Sequence, residues 1–217
     1  PGISYYTINA AAGREWSTVP SWPSHPHQTL YLLAPGSLSG SSPGNASGGE
    51  ERHEPKDVVW FGGRYTPLAR WPAAGAAPIG PGSLVHDSGP LQADLEITGA
   101  VRAGIWISAD RPDVNVFAML LDVAPDGGAR YITDGRIRAS WRKVHPLPWE
   151  GGGRTWHRGH AQDLMPLQPG QPELLQFDFF PISYVVQAGH AIRLSLATSI
   201  GVDYQSPPLA EGNPVTL

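Results

Sequence analysis

The clearest pattern in the chain is an alternation of apolar and polar residues that leads into a longer apolar run. In Val101–Ser108 the apolar residues occupy every second position, which is typical of a strand with one buried face. Val114–Val123 is apolar on both faces, which indicates a strand that is covered on both sides. Pro125–Gly128 can reverse the chain, because its two glycines accept the positive φ of tight hairpin turns. Arg130–Thr133 is predicted as the return strand.

Shorter apolar or alternating segments predict strands along the rest of the chain. In order they are Ile3–Asn9, Gln28–Leu33, Asp57–Phe61, Ser83–Ser88, Ala93–Thr98, Arg136–Lys143, Pro172–Phe180 and Ala191–Ala197. Aperiodic or Gly- and Pro-rich segments predict loops at 16–27, 38–51, 66–82 and 145–155, and a turn is predicted at Ala188–Gly189. No segment has the pattern of an amphipathic helix. These features predict an all-β, antiparallel β-sandwich, of the jelly-roll type.

Composition narrows the class of protein. The 217 residues are 41% hydrophobic and include 26 Gly and 23 Pro, which favours many short strands joined by turns. The net charge of -4 gives no basic surface for nucleic acid or an anionic membrane, and no window of 18 apolar residues predicts a membrane span. The absence of Cys excludes disulfides, thiolate metal sites and Cys nucleophiles, but it leaves the cellular compartment open. Because Pro1–Tyr5 has neither an initiator Met nor a signal peptide, we expect a piece of a longer chain.

Ser42 is the one residue that fits a nucleophile motif. Gly40–Gly44 matches G-x-S-x-G, whose chemistry needs a strand, a sharp turn and a helix to hold the hydroxyl beside oxyanion donors. Here no strand leads directly into the motif and no helix follows it. We therefore interpret Ser42 as a loop residue and predict no catalytic residue in this chain.

Four histidines are candidates for metal binding or catalysis. His157 and His160 are three residues apart with Asp163 nearby, but a zinc site needs more ligands, so a structural segment is favoured and no metal or cofactor is predicted. His86 precedes Asp87 directly and is interpreted as a structural strand residue. His190 follows a turn, and we expect it to be a hydrogen-bonded element of that corner.

Four tryptophans could instead form an aromatic platform that stacks on sugar rings, as in carbohydrate-binding modules. The alternative is that large aromatic rings fill a sandwich core or an interdomain contact, and this is the favoured interpretation. The four residues are Trp71, Trp141, Trp149 and Trp156.

The order of segments resembles the C-terminal domain of the X-Pro dipeptidyl-peptidase and cocaine-esterase-type (CocE/NonD) serine hydrolases. Four stretches carry the resemblance, which covers nearly the whole chain: residues 3–32, with Trp16 and Ser21-Trp-Pro23; residues 91–108; Phe117–Gly127 with Thr133–Ala139; and Phe180–Leu194. The last is similar to the pattern P-(T/I)-S-x-x-F-x-x-G-H-x-(I/L)-R-(L/V), with Val186 where Phe is usual.

The resemblance implies a galactose-binding-like jelly roll that follows an α/β-hydrolase domain carrying a Ser-Asp-His triad. No triad residue maps onto this chain. We expect residues 1–217 to be a single domain, with a connector and first strands at 1–35, irregular loops at 36–82 and the main sandwich at 83–217. Its expected role is to pack on the catalytic domain and help shape the substrate cleft, without performing chemistry. A carbohydrate-binding module and a homo-oligomeric assembly role are the alternatives.

The two-sided apolar strand also predicts a domain contact. One side would meet the opposite sheet and the other the catalytic domain. Either Val116, Ala118 and Leu120 or Phe117, Met119 and Leu121 would then form an interdomain face, and the sequence leaves open which set it is.

Overall fold

The computed structural model describes residues 2–22, 27–33, 35–44, 52–53, 83–148, 154–198 and 215–216. Within these ranges the protein consists of β-strands, two single turns of 3-10 helix and connecting loops, and no helix is long and apolar enough to cross a membrane. The strands are β1 (Ile3–Tyr6), β2 (Trp16–Val19), β3 (Tyr31–Leu33), β4 (Ser37–Ser39), β5 (Arg52–His53), β6 (Leu84–Pro90), β7 (Leu95–Gly99), β8 (Arg102–Ala109), β9 (Asn115–Val123), β10 (Ala129–Arg138), β11 (Glu173–Asp178), β12 (Ile182–Val186), β13 (Ala191–Ala197) and β14 (Val215–Thr216).

Two larger sheets face each other. One has the order β10-β9-β13-β6-β4-β3 and the other has the order β11-β8-β14-β5, while β1-β2 and β12-β7 form two-stranded sheets. Inward side chains of both larger sheets meet in one apolar cluster, which includes Ile105, Ile107, Val116, Leu175 and Leu194. This arrangement confirms the predicted all-β sandwich.

The predicted hairpin is present, but its second strand is longer than the sequence indicates. β10 pairs with β9 along its whole length and carries an irregularity between Tyr131 and Thr133, so the two strands predicted at 130–133 and 136–143 are one strand. After Arg138 the chain forms a 3-10 turn at Ala139–Trp141. In the connecting turn only Gly127 has a positive φ, of 85°. A bulge shifts the alternation by one residue, and a gap in periodicity then looks like a gap between strands.

β9 is buried at every position, as its two-sided apolar pattern predicts. Val116, Ala118 and Leu120 belong to the central cluster, whereas Phe117, Met119 and Leu121 lie on the opposite face. The second set is also buried, with exposed fractions of 4%, 3% and 0%. Neither set lies open to a partner domain, so the prediction of an interdomain face on β9 is wrong. A two-sided apolar strand shows that both faces are covered, and it does not show what covers them.

The N-terminal third contains strands that the sequence did not indicate. Trp16–Val19 pairs with β1, although a loop was predicted at 16–27. Ser37–Ser39 joins the larger sheet between β3 and β6, although the segment from residue 36 was predicted to be irregular. Both strands have three or four residues, too few for a period to be seen. The predicted strand Asp57–Phe61 lies outside the described residues.

Candidate functional site

Ser42 lies in an exposed loop after β4. Its Oγ accepts a hydrogen bond of 3.2 Å from the backbone N–H of Gly44, which closes a local turn. Gly44 has a φ of 64°, and the described segment from Ser41 to Gly44 has no helical residue. β4 ends at Ser39, so a strand does lead into the motif, contrary to the sequence prediction, but no residue from Ser42 to Gly44 is helical. The described residues therefore lack the helix that the strand-turn-helix geometry of a nucleophile requires, and the absence of a catalytic residue in this chain stays a prediction.

A carboxylate, an imidazole and a phenol meet at the corner before β13. The buried Asp122 side chain of β9 accepts a 2.8 Å hydrogen bond from the Tyr184 hydroxyl and lies 2.6 Å from Nδ1 of His190. Burial raises the pKa of Tyr184, and the hydrogen bond to Asp122 raises that pKa further. We call these three residues the Asp122 cluster. It ties β9, β12 and the corner at His190 together, so His190 is the hydrogen-bonded corner element that was predicted.

A second cluster surrounds Asp163, whose carboxylate is almost fully buried. Arg158 donates to both oxygens of this carboxylate, at 2.9 and 2.6 Å. Lys143 Nζ and His145 Nε2 lie 3.5 and 3.2 Å from Oδ1 of Asp163. The hydrogen bonds from Arg158 hold the pKa of the Asp163 carboxyl well below its usual range, and the charges of Arg158, His145 and Lys143 act in the same direction. These four residues are the Asp163 cluster, which closes the segment from β10 to β11 on itself.

His157 does not share a site with His160. Its Nδ1 lies 3.2 Å from the carbonyl oxygen of Lys143, and its Nε2 lies 3.0 Å from the carbonyl oxygen of Gln176. His160 instead precedes the 3-10 turn Ala161–Asp163. Both ring nitrogens of His157 therefore face backbone oxygens, and Asp163 is engaged by Arg158. Among the described residues no group of three or more His, Cys, Asp and Glu side chains is placed to hold a metal ion.

His86 and Asp87 are neighbours in β6 but have separate environments. His86 is buried at 3% exposure, whereas Asp87 forms a bidentate ion pair of 2.5 Å with Arg193 of β13. This pair raises the pKa of Arg193, chiefly through the hydrogen bonds from the guanidinium to Asp87. Because successive side chains in a strand point to opposite faces, the two residues cannot act as a catalytic pair.

The two candidate tryptophans that the structure describes do not form the platform that the alternative hypothesis needs. Trp141 and Trp156 are partly buried, and Trp156 packs edge-on against His145 with ring centroids 6.4 Å apart. Trp71 and Trp149 lie outside the described residues. The most exposed described tryptophans are Trp16 and Trp106, which were not among the four candidates.

One further carboxylate, that of Asp113, ties the connection between β8 and β9 to the 3-10 turn that follows β10. Asp113 accepts hydrogen bonds from the backbone N–H groups of Val114 and Ser140 and from the Ser140 hydroxyl, at 3.0, 2.9 and 2.8 Å. The sequence carries a local signal for residues of this kind. A carboxylate in or beside an apolar strand, such as Asp113 or Asp122, needs buried donors from elsewhere in the fold.

Comparison with known proteins identifies the family. Residues 1–211 match the family model described as the X-Pro dipeptidyl-peptidase C-terminal non-catalytic domain. The chain belongs to this family. The match confirms the resemblance inferred from the four sequence stretches, and Asp122, Tyr184 and His190 all lie within two of those stretches.

Individual relatives agree with the family assignment. This family domain is 32% identical over 213 residues to a Mycobacterium bovis protein provisionally named a serine esterase, a match that covers 91% of this chain. It spans about a third (32%) of that relative's length. Among solved structures, an alpha-amino acid ester hydrolase aligns over 98% of this chain and 38% of its own, with a TM-score of 0.69 and 21% identity. An aminopeptidase from a marine sediment archaeon of the Thaumarchaeota aligns over 98% and 37%, with a TM-score of 0.70 and 18% identity. These two structures show that the fold is shared.

Proposed function

We propose that residues 1–217 form one domain, the non-catalytic β-sandwich of a serine hydrolase. In this proposal the domain packs on an α/β-hydrolase domain that precedes it and helps to wall the substrate cleft. The observation that carries the proposal is the match of residues 1–211 to a family of non-catalytic C-terminal domains. The reacting serine, aspartate and histidine belong to the preceding domain.

The contacts of the polar side chains support a structural role. The polar residues that the sequence offers as candidates for catalysis are paired with other side chains: His190 with Asp122, Asp87 with Arg193, and Asp163 with Arg158. Each of these pairs joins elements of the sandwich or closes a loop on it. A catalytic base needs a free lone pair within hydrogen-bond reach of a nucleophile, and these carboxylates and rings are committed elsewhere.

We further propose that the parent enzyme cleaves carboxylic esters. The relative that covers 91% of this chain carries a serine esterase name, and one of the structural neighbours is an ester hydrolase. Cleavage after a penultimate proline is the second candidate, because the family model is described by that peptidase activity. Ester and amide hydrolysis share the same nucleophile and oxyanion chemistry, so one triad could serve either.

The test compares the parent enzyme with the isolated 217-residue chain on two substrates, a p-nitrophenyl ester and Ala-Pro-p-nitroanilide. We expect the parent to hydrolyse the ester faster than the anilide, and the isolated chain to stay at the background rate on both. Hydrolysis by the isolated chain that is abolished by Ser42→Ala would show that this segment carries its own nucleophile, and the proposal would then be wrong.

The residues encoded before position 1 provide an independent check. The proposal expects a G-x-S-x-G motif after a strand, followed in order by the Asp and the His of the triad. Substitution of that Ser by Ala should abolish ester hydrolysis by the parent, whereas Ser42→Ala should leave it unchanged.

A further inference from the structure

The hairpin formed by β1 and β2 exposes an unusual number of large apolar side chains. Of the nine large apolar side chains that are exposed among the described residues, five lie between Ile3 and Trp22. The most exposed is Trp16, at 71%, and its ring packs edge-on against Tyr6 with centroids 5.3 Å apart. Clustered exposed apolar side chains on a soluble protein mark surfaces that bind another molecule.

Three of these five side chains, those of Tyr6, Ile8 and Trp16, share one face of the hairpin, whereas Ile3 lies on the other face and Trp22 lies beyond β2. In the register of the two strands Tyr6 lies opposite Trp16 and Ser4 lies opposite Thr18, so the four side chains point to the same side. Ile8 continues the alternation beyond β1 and is 42% exposed. We call the surface formed by Tyr6, Ile8 and Trp16 the hairpin face.

The other side of the hairpin is fastened to the sandwich. The buried Thr7 hydroxyl hydrogen-bonds to the Ser183 hydroxyl at 2.8 Å, and the Ile8 N–H donates to the Ser183 carbonyl oxygen at 2.8 Å. The Asn9 side chain donates to the Val185 carbonyl oxygen, also at 2.8 Å. The orientation of the hairpin is therefore set by β12, and the hairpin face is held pointing away from it.

The hairpin by itself gains little stability from burial, because much of its apolar surface is exposed to water. A two-stranded sheet is marginally stable in water, and Trp16 keeps most of its apolar surface hydrated even though its ring packs against Tyr6. Trp and Tyr are the residues that interfaces favour, because each brings a large apolar area with few rotatable bonds. The composition and exposure of the hairpin face are those of an interface whose partner is not among the described residues.

We infer that the hairpin face docks on the catalytic part of the parent hydrolase, the polypeptide that precedes this domain. This inference rests on the proposed function. The family is described as a C-terminal domain, and the chain spans 32% of its relative, so the larger part of such a protein lies on the N-terminal side. The family match begins at residue 1 and β1 begins at Ile3, so the polypeptide that precedes the family domain enters within about 7 Å of the hairpin, at roughly 3.5 Å per residue. A partner tethered at that distance has a high effective concentration at the hairpin face.

The test is hydroxyl-radical footprinting of the unsubstituted full-length enzyme, with the oxidation of each tryptophan measured by mass spectrometry and normalised to its rate in urea. Trp106 is the internal reference, because it is 62% exposed on the outer side of β8 and Trp16 is 71% exposed. If nothing covered the hairpin, Trp16 would be oxidised at least as fast as Trp106. We expect Trp16 to be oxidised about ten-fold more slowly than in urea, because a docked aromatic side chain is shielded from water.

Two outcomes would overturn the inference. One is oxidation of Trp16 at a rate near that in urea, whatever Trp106 does. The other is protection of Trp16 that is lost when the enzyme is diluted, which would assign the cover to a second copy of the chain. Ester hydrolysis is assayed on the same samples. An active enzyme with an open Trp16 contradicts only this inference, and a protected Trp16 in an inactive enzyme contradicts only the proposed activity.

Discussion

Asp122 interrupts the most apolar strand of the protein, and its partners explain why it is tolerated there. Asp122 is 1% exposed, and its carboxylate accepts a hydrogen bond from the Tyr184 hydroxyl and faces the ring of His190. A buried charge without hydrogen bonds would cost several kcal/mol, so both partners are needed to keep it in the fold. The Asp122 cluster is therefore a structural joint, and its removal should be measured as a loss of stability.

Tyr184→Phe should lower the free energy of unfolding by about 1–2 kcal/mol, because it removes a buried hydrogen bond to a charged acceptor while keeping the ring. Tyr6→Phe is the matched control, since the Tyr6 side chain is half exposed and its change should stay within about 0.5 kcal/mol of zero. Urea denaturation of the three proteins measures both effects. Equal losses for the two substitutions would contradict the assigned role of Tyr184.

The raised pKa of Tyr184 also predicts how the stability of the fold changes at alkaline pH. Its pKa is raised in the folded protein, so the folded chain keeps the phenolic proton where the unfolded chain loses it, above pH of about 10. The stabilisation is complete below that pH and is lost as the pH rises toward the folded pKa. Tyr184→Phe should therefore reduce the fall in stability between pH of about 9 and 11, and thermal unfolding at a series of pH values measures it. An unchanged slope in the variant would contradict this.

Close packing between β10 and β11 accounts for a glycine in the matching stretch Thr133–Ala139. A Cβ at Gly135 would lie 3.1 Å from the Asp178 carbonyl oxygen and 3.2 Å from two ring carbons of Phe177. Gly135→Ala should destabilise the protein by about 1–3 kcal/mol through overpacking. Gly104→Ala is the matched control in β8, where the nearest atom, Leu174 Cδ1, is 4.0 Å away, and it should have little effect. Urea denaturation compares them, and an equally stable Gly135→Ala variant would show that β11 can move away.

The Asp163 cluster fixes the segment between β10 and β11, and its contribution to stability depends on the Asp163 carboxyl staying ionised. The pKa of Asp163 is lowered in the folded protein, so its stabilisation is present above the unfolded pKa of about 4 and is lost as the pH falls below that value. Arg158→Gln should flatten the decline of the unfolding temperature between pH of about 5 and 3, because Arg158 is the main cause of the shift.

Arg102→Gln is the control for that experiment. Arg102 is half exposed and its Nε lies 3.3 Å from Asp178, so solvent weakens this ion pair. We expect the acid profile of Arg102→Gln to follow that of the unsubstituted protein. Identical profiles for all three proteins would show that Asp163 titrates without help from Arg158.

At the scale of the whole molecule, stability depends on the contact between the two larger sheets. Leu175 of β11 is fully buried in the central cluster, whereas its neighbour Leu174 is only partly buried, opposite Trp106. Leu175→Ala should cost about 2–5 kcal/mol, and Leu174→Ala about 1 kcal/mol or less. Urea denaturation of the two variants tests which face of β11 points inward. The reverse order of losses would contradict this arrangement of the two larger sheets.

Association with other copies stays a prediction, as does the packing on a catalytic domain. The sequence left open which surface would make such a contact, and the two sets of residues on β9 that it suggested are both buried. The exposed aromatic residues of the β1–β2 hairpin were not suggested, because residues 16–27 have no clear period and were interpreted as a loop. Exposure is decided by what packs nearby, and it cannot be read from a short segment.

The amino-acid sequence by itself determined the strands with a clear local period. Val101–Ser108, Val114–Val123 and Ala191–Ala197 were predicted to within about a residue at each end, and the all-β class followed from their number and the turns between them. The family also followed from the order of four short stretches, because side-chain alternation and turn chemistry are local properties of the chain.

The tertiary structure alone decided the partners of the buried polar groups and the face that each strand presents. His190 and Asp122 are 68 positions apart, and Tyr184 and Asp122 are 62 apart, so no local pattern joins them. The continuity of β10 through its irregularity and the inclusion of β4 in the larger sheet likewise depend on pairing with distant strands. Such pairings are selected by the packing of the whole sandwich, and for that reason the periodicity of the sequence could not specify them.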